Sequence, residues 1–167
     1  ALTVNQLGSK SVAVGHNALL FQNPASATDM YNIAVGYGTA AQITTGVQNT
    51  IMGGLAGDSL TTANYNVAVG YAALTTDTQG SRSTAVGTNA LNAQNFSSAT
   101  DAYNTAIGNN TGESITTGIY NTLLGGLAGD ALTDADNNVA IGRASLSSDT
   151  KGNGSVAIGR NALISQN

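Results

Sequence analysis

A glycine that returns at fixed intervals dominates this sequence. It always follows an aliphatic residue and usually has alanine two positions before it, as in the stretch Asn66-Val67-Ala68-Val69-Gly70. Successive copies have a spacing of 17 along the chain, except for two spacings of 21. The nine marker glycines are Gly15, Gly36, Gly53, Gly70, Gly87, Gly108, Gly125, Gly142 and Gly159. Such a period is typical of a solenoid, in which each repeat forms one coil and stacks on the next.

The coils are grouped into a larger repeat. Residues 1–72 and 73–144 are identical at 43 of 72 aligned positions, and a partial third copy covers 145–167. We therefore expect one all-β solenoid array over residues 1–167, with coils of two lengths, 17 and 21. Because the third copy is partial, we also expect the chain to be a fragment of a longer fibre.

Alternation of side chains along a strand predicts how each coil is built. In the stretch from Asn66 to Gly70, the two valines share one face, and Ala68 and Gly70 share the other. Valine favours strands, so we expect the valines inside the coil and the small residues against a neighbouring molecule. A second strand and a turn should follow at 73–80. Nine parallel coils, each with two strands of about five residues, would span roughly 40 Å.

The two longer coils carry insertions near residues 22–29 and 94–101. Insertions in solenoids usually form loops on one face. The only proline, Pro24, lies in the first of them, where its missing N–H would not weaken the sheet.

Composition excludes several classes of function. The net charge is -4 and there is no basic block, so we expect no nucleic-acid partner. Cysteine is absent, which removes disulfides and thiolate chemistry. No apolar run is long enough to span a bilayer, so we expect no direct membrane insertion by this segment.

We predict that the chain is not an enzyme and holds no cofactor or metal. The single histidine, His16, follows a marker glycine at a position that varies between coils, which indicates exposure, and the pattern gives it no orienting partner. The segments 53–58 and 125–130 resemble a calcium-binding glycine-rich loop only loosely, and the spacing favours a solvated turn. A polysaccharide lyase or hydrolase would need clustered carboxylates or bases that the pattern does not supply.

Two ranks of polar residues should stack from coil to coil. Threonines nine before a marker, such as Thr44 and Thr61, predict a hydroxyl ladder at a corner rather than an ice-binding face. Four tyrosines stand five before a marker, and for these we keep two hypotheses open: stacking on one another or at a trimer contact, and stacking on sugars. This tyrosine rank is Tyr31, Tyr65, Tyr103 and Tyr120.

The coil pattern Ser/Asn-x-Ala-Val/Ile-Gly-x-x-Ala-Leu, seen in 104–108 and 138–142, resembles two groups of proteins. It is similar to the head repeats of YadA-like trimeric autotransporter adhesins and to the repeats of bacteriophage tail-fibre proteins. The resemblance covers all nine coils and implies a left-handed parallel β-roll that forms a homotrimer in a surface-exposed fibre. The coils are longer than is usual in the adhesin heads, and 51–54 and 123–126 break the alanine rule.

We expect a structural and adhesive segment of a homotrimeric fibre, either a phage tail fibre or a bacterial surface adhesin, outside the cell or on the virion. Its partners would be two further copies of itself and a host-surface glycan or protein. A face of alanine and glycine left bare in a monomer gives trimerisation a physical reason of its own. The alternative is a glycan-binding receptor module that uses the tyrosine rank and the inserted loops.

Overall fold

A computed structural model describes residues 1–165, and within them the chain is all-β and contains no helix. The last two residues of the partial third repeat, 166 and 167, lie outside this range. Nine strands of three residues form one sheet, and four strands of two residues form two separate pairs. In chain order the strands are β1 Gly8–Ser9, β2 Val12–Val14, β3 Thr28–Asp29, β4 Ile33–Val35, β5 Thr50–Met52, β6 Val67–Val69, β7 Gly80–Ser81, β8 Thr84–Val86, β9 Thr100–Asp101, β10 Thr105–Ile107, β11 Thr122–Leu124, β12 Val139–Ile141 and β13 Val156–Ile158.

The nine-stranded sheet confirms the parallel solenoid of about nine coils. Every strand pairs in parallel with its counterpart in the next coil, and equivalent residues lie opposite each other. Ala68 of β6, for example, is paired with Ile51 of β5 and Ala85 of β8. The two longer coils keep this register, so their extra residues leave the main sheet. The ends of the two insertions form the short strands β3 and β9, which pair with β1 and β7 of the preceding coils.

Each coil has one short strand in the main sheet, and the expected second strand is wrong. The residues after the marker form turns, with a left-handed backbone at the second and fourth positions, as in Ala72 (φ 54°) and Leu74 (φ 54°). These turns still bond to the neighbouring coil, since the Leu74 N–H donates to the Ala90 carbonyl at 3.0 Å. Stacked turns therefore satisfy the backbone as a second sheet would.

The placement of the valines is also wrong, because the strand faces are inverted. The alanines two before the marker are buried inside the coil, whereas the valines on either side point outward. The reason is room. The turn side already fills the interior with large side chains such as Leu74 and Leu60, which are fully buried. Only a small residue fits opposite them in a coil this thin.

The two exceptions to the alanine rule follow from the same volume limit. Ile51 and Leu123 stand where other coils have alanine, and both are fully buried. In these two coils the fourth residue after the marker is Gly57 or Gly129, where the chain has leucine in five other coils. A Cβ on Gly57 would lie 3.4 Å from Ile51 Cγ2, and one on Gly112, in the coil before Leu123, would lie 2.9 Å from Leu123 Cδ1. A large residue on the strand wall is thus matched by glycine on the turn wall.

A buried asparagine ladder crosses the interior four residues before the markers. Asn66 donates from Nδ2 to the Gly80 carbonyl at 2.9 Å, while its Oδ1 accepts the backbone N–H of Ser83 at 2.8 Å. The same pair of bonds recurs at Asn49 and Asn121. Each of these asparagines therefore ties opposite walls and successive coils together, which is why a short polar residue always occupies this position.

The marker glycine is required by backbone conformation and by close approach. Gly70 has φ 137°, and a Cβ there would lie 2.5 Å from the carbonyl oxygen of Gly87 in the next coil. No L side chain fits at that distance, and the positive φ alone disfavours one. The close neighbour is the next coil of the same chain, so it is the glycine, and not the alanine, that clears space.

Candidate interaction surfaces

The outward face of the main sheet carries one column that is apolar along its whole length and a second that holds threonine in four of the nine coils. We define the outward sheet face as the two columns of residues three and one before each marker. The residues one before the marker are all aliphatic and all partly or largely exposed; Met52 is 41% and Leu124 44% exposed. The column is Val14, Val35, Met52, Val69, Val86, Ile107, Leu124, Ile141 and Ile158. A contiguous apolar surface of this kind usually marks an interaction site.

The tyrosine rank forms a column at one edge of the coils, five residues before the markers. Its four members have left-handed backbone, with φ between 51° and 61°, and are 43–49% exposed. Tyr103 and Tyr120 stack with ring centroids 5.7 Å apart. The Arg82 guanidinium lies between two members of the rank, 4.5 Å from the Tyr65 centroid and 5.7 Å from that of Tyr103. Their mutual contacts occupy part of the ring faces that a sugar would use; the sugar-stacking hypothesis stays a prediction.

The inserted loops are tied to this same edge by equivalent ion pairs. Lys10 Nζ lies 2.7 Å from Asp29 Oδ2, and Arg82 Nε lies 3.0 Å from Asp101 Oδ2. The Lys10 ammonium and a hydrogen bond from Ser9 hold the pKa of the Asp29 carboxyl below its ordinary value. Because both pairs are exposed, each stabilises the loop only slightly. They nevertheless fix the position of the loops beside the tyrosine rank.

The column directly after the markers carries a second set of aromatic side chains in the first repeat. His16 is exposed, as its variable position suggested, and its ring stacks on Tyr37 with centroids 5.6 Å apart. Tyr37 is 62% exposed and Tyr71 57%, more than any member of the tyrosine rank. The sequence carried one signal for this pair, which is that both tyrosines directly follow a marker. The signal was weak because polar residues occupy the equivalent positions in the second repeat.

A buried polar pair interrupts the aliphatic interior of the second repeat. Asp77 accepts hydrogen bonds from Gln94 Nε2 at 2.6 Å, Gly80 N–H at 2.9 Å and Phe96 N–H at 3.3 Å. Burial raises the pKa of the Asp77 carboxyl, and these donors oppose that shift. Both members of the pair occupy the seventh position after a marker, which in other coils holds a buried residue such as Leu60. The sequence suggested only a polar turn here.

In the loosely calcium-like loop 53–58, the carboxylate is engaged in a hydrogen bond. Asp58 accepts this bond from the Thr75 hydroxyl at 2.6 Å. Among residues 1–165, no group of three or more His, Cys, Asp or Glu side chains is arranged to hold a metal ion.

The threonine hydroxyls donate to carbonyls of the next coil, as Thr61 does to Thr78 at 2.9 Å. This bonding is that of a corner ladder.

In the described part of the chain there is no helix long and apolar enough to cross a membrane. Comparison with known proteins found no match to any family model, curated protein or solved structure.

Proposed function

We propose that this chain is a rigid segment of a homotrimeric fibre, wound left-handed as its resemblance to adhesin heads and tail fibres implies. The observation that carries the proposal is the exposed aliphatic column of the outward sheet face, one residue before each marker. The coil interior is filled without these valines, isoleucines and leucines, so only a contact from outside the chain can bury them. Exposed apolar side chains in a continuous column favour association, because covering them removes apolar surface from water.

Three copies around one axis would cover the face with closed symmetry. The face is one continuous strip of nine strands in register, so each copy presents the same residues at every level of the fibre. Cyclic association lets such identical strips meet without leaving an open contact surface. Because the strand faces are inverted, the trimer contact that we propose lies on the valine side of the strands and not on the alanine side that the sequence predicted.

The role that fits this architecture is mechanical, with attachment to a host or a surface as its purpose. Each coil bonds to the next along the whole chain, so stability accumulates over coils and their interfaces. We place the fibre outside the cell or on a virion, as a phage tail fibre or a bacterial surface adhesin. The support for this is the repeat pattern, which is similar to both groups.

Paired substitutions at equivalent positions of the two repeats test the trimer. Met52→Glu with Leu124→Glu would bury six carboxylates in the trimer contact, each of which is costly without a partner. We expect light scattering after size exclusion to give three chain masses for the wild type and one for the variant. The control Thr62→Asp copies Asp134 at the equivalent exposed position and should stay trimeric. A wild type of one chain mass, or a variant that keeps three, would overturn the proposal.

A further inference from the structure

Four consecutive rungs of the solenoid carry His16, Tyr37, Gly54 and Tyr71 directly after their markers, and we call this set the aromatic strip. Backbone hydrogen bonds hold the rungs in order: Gly38 N–H donates to the His16 carbonyl, and Leu55 N–H donates to the Tyr37 carbonyl, both at 2.9 Å. The strip therefore has a fixed geometry on a rigid scaffold.

The tyrosine rings of the aromatic strip keep more exposed surface than those of the tyrosine rank, whose mutual contacts cover part of their ring faces. His16 stacks on one side of Tyr37, and the next rung on the other side is Gly54, which has no side chain. The Tyr71 ring lies over the same glycine, since its Cδ2 would be 3.6 Å from a Cβ there. Two exposed tyrosine rings thus lie two rungs apart, about 10 Å along the solenoid, with only a glycine on the rung between them.

The segments that carry the aromatic strip are uncharged, and Asp58, which follows one of them, has its carboxylate hydrogen-bonded by the Thr75 hydroxyl. Segments 15–19, 36–40, 53–57 and 70–74, which carry it, contain no Asp, Glu, Lys or Arg. The equivalent positions of the second repeat are Thr88, Asn109, Gly126 and Arg143. The two repeats therefore keep the same coils and the same glycine but differ in the exposed side chains, which is a difference in surface chemistry alone.

We propose that the aromatic strip is a binding site for a neutral glycan, with sugar rings seated against the exposed ring surfaces of Tyr37 and Tyr71. A tyrosine offers a rigid apolar face for the C–H side of a sugar and a hydroxyl for its polar rim. The lack of charge favours a neutral sugar over an anionic one. A chain of sugars would lie along the solenoid axis, because the rings are arranged in that direction. All residues of the aromatic strip belong to one chain, so the proposal does not rest on the trimer proposed above.

Affinity electrophoresis of the full chain in gels containing a soluble neutral glucan, mannan or galactan tests the site. We expect at least one of these polysaccharides to retard the wild type, and Tyr37→Ala with Tyr71→Ala to weaken the retardation at least tenfold. The matched control, Tyr103→Ala with Tyr120→Ala, removes two tyrosines from the tyrosine rank and should be retarded like the wild type. Circular dichroism of each variant checks that the fold is kept.

The second repeat allows the site to be built where it is absent. Asn109→Tyr with Arg143→Tyr, together with Thr88→His, would copy the aromatic strip onto the equivalent rungs. We expect calorimetric titration with an oligosaccharide of the retarding polysaccharide to give twice the number of sites per chain. Retardation by none of the three polysaccharides, equal retardation of all variants, or loss only in the tyrosine-rank control would each overturn the proposal.

Discussion

The match between Ile51 and Gly57 makes a quantitative prediction about how the interior is filled. Ile51 is fully buried, and truncation of such a residue to alanine costs about 3.5 kcal/mol, from lost burial and the cavity left behind. Gly57→Leu alone should cost about 2 kcal/mol by overfilling the coil, because a Cβ there would already lie 3.4 Å from Ile51 Cγ2 and 3.5 Å from Ile51 Cδ1, which leaves no room for the rest of a leucine. Its left-handed φ of 52° does not forbid leucine, since Leu74 occupies the equivalent position with φ 54°.

The double variant Ile51→Ala with Gly57→Leu should recover much of this loss, because the new leucine enters the space that the isoleucine leaves. We expect its cost to fall short of the sum of the single variants by about 2 kcal/mol. Urea unfolding followed by circular dichroism measures all three free energies. Additivity within about 0.5 kcal/mol would refute the volume match, and Leu123 with Gly129 gives an independent repeat of the cycle.

Two further predictions concern single positions. Gly70→Ala should cost at least about 3 kcal/mol in thermal or urea unfolding, whereas Gly54→Ala, where a Cβ meets nothing closer than 3.6 Å, should change stability by less than about 1 kcal/mol; equal effects would contradict the role of the marker. Burial raises the pKa of the Asp77 carboxyl, so the folded chain binds a proton at Asp77 more tightly than the unfolded chain does. The protonated carboxyl therefore contributes to stability increasingly as the pH falls through the raised pKa, and this contribution is lost as the pH rises. Asp77→Asn should flatten that part of the curve of unfolding free energy against pH, and an unchanged slope would show that another group titrates there.

The period of the marker glycines was enough to predict the coils, their parallel order and the loops at the two insertions. Register follows directly from spacing, because each coil must return to the same point before it can pair with the previous one. The two longer coils show this well, since Ala13 still pairs with Ala34 across the first insertion. Any other register would have broken the asparagine ladder and the contact of the marker with the next coil.

Spacing could not predict which strand face turns inward. Alternation assigns Val67 and Val69 to one face and Ala68 to the other, and it is silent on which of them is buried. The decision is made by residues on the opposite wall, where Leu74 already fills the interior. The glycine at position 57 was part of the available signal, because glycine stands at this place in both coils whose inward residue is large and also at Gly112, in the coil before Leu123.

The tyrosine rank could be located from the sequence, but its surroundings could not. Column membership follows from spacing, whereas the position of Arg82 between Tyr65 and Tyr103 depends on which residue the intervening coil supplies at the same place. The buried Asp77 was hidden for a similar reason, since a polar tract beside a glycine usually indicates an exposed turn.

The inversion of the strand faces changes what the β-branched residues are for. A coil whose inner wall is alanine gains nothing inside from valine or isoleucine at the outward positions, and exposed threonine would satisfy the strand equally well. Threonine does occur three before four of the markers, at Thr50, Thr84, Thr105 and Thr122, but never one before a marker. Of the two outward columns, only the one next to the marker is therefore apolar in every coil. A trimer centred on that column explains this difference. Such a trimer predicts that Val69→Thr weakens association more than Val67→Thr does.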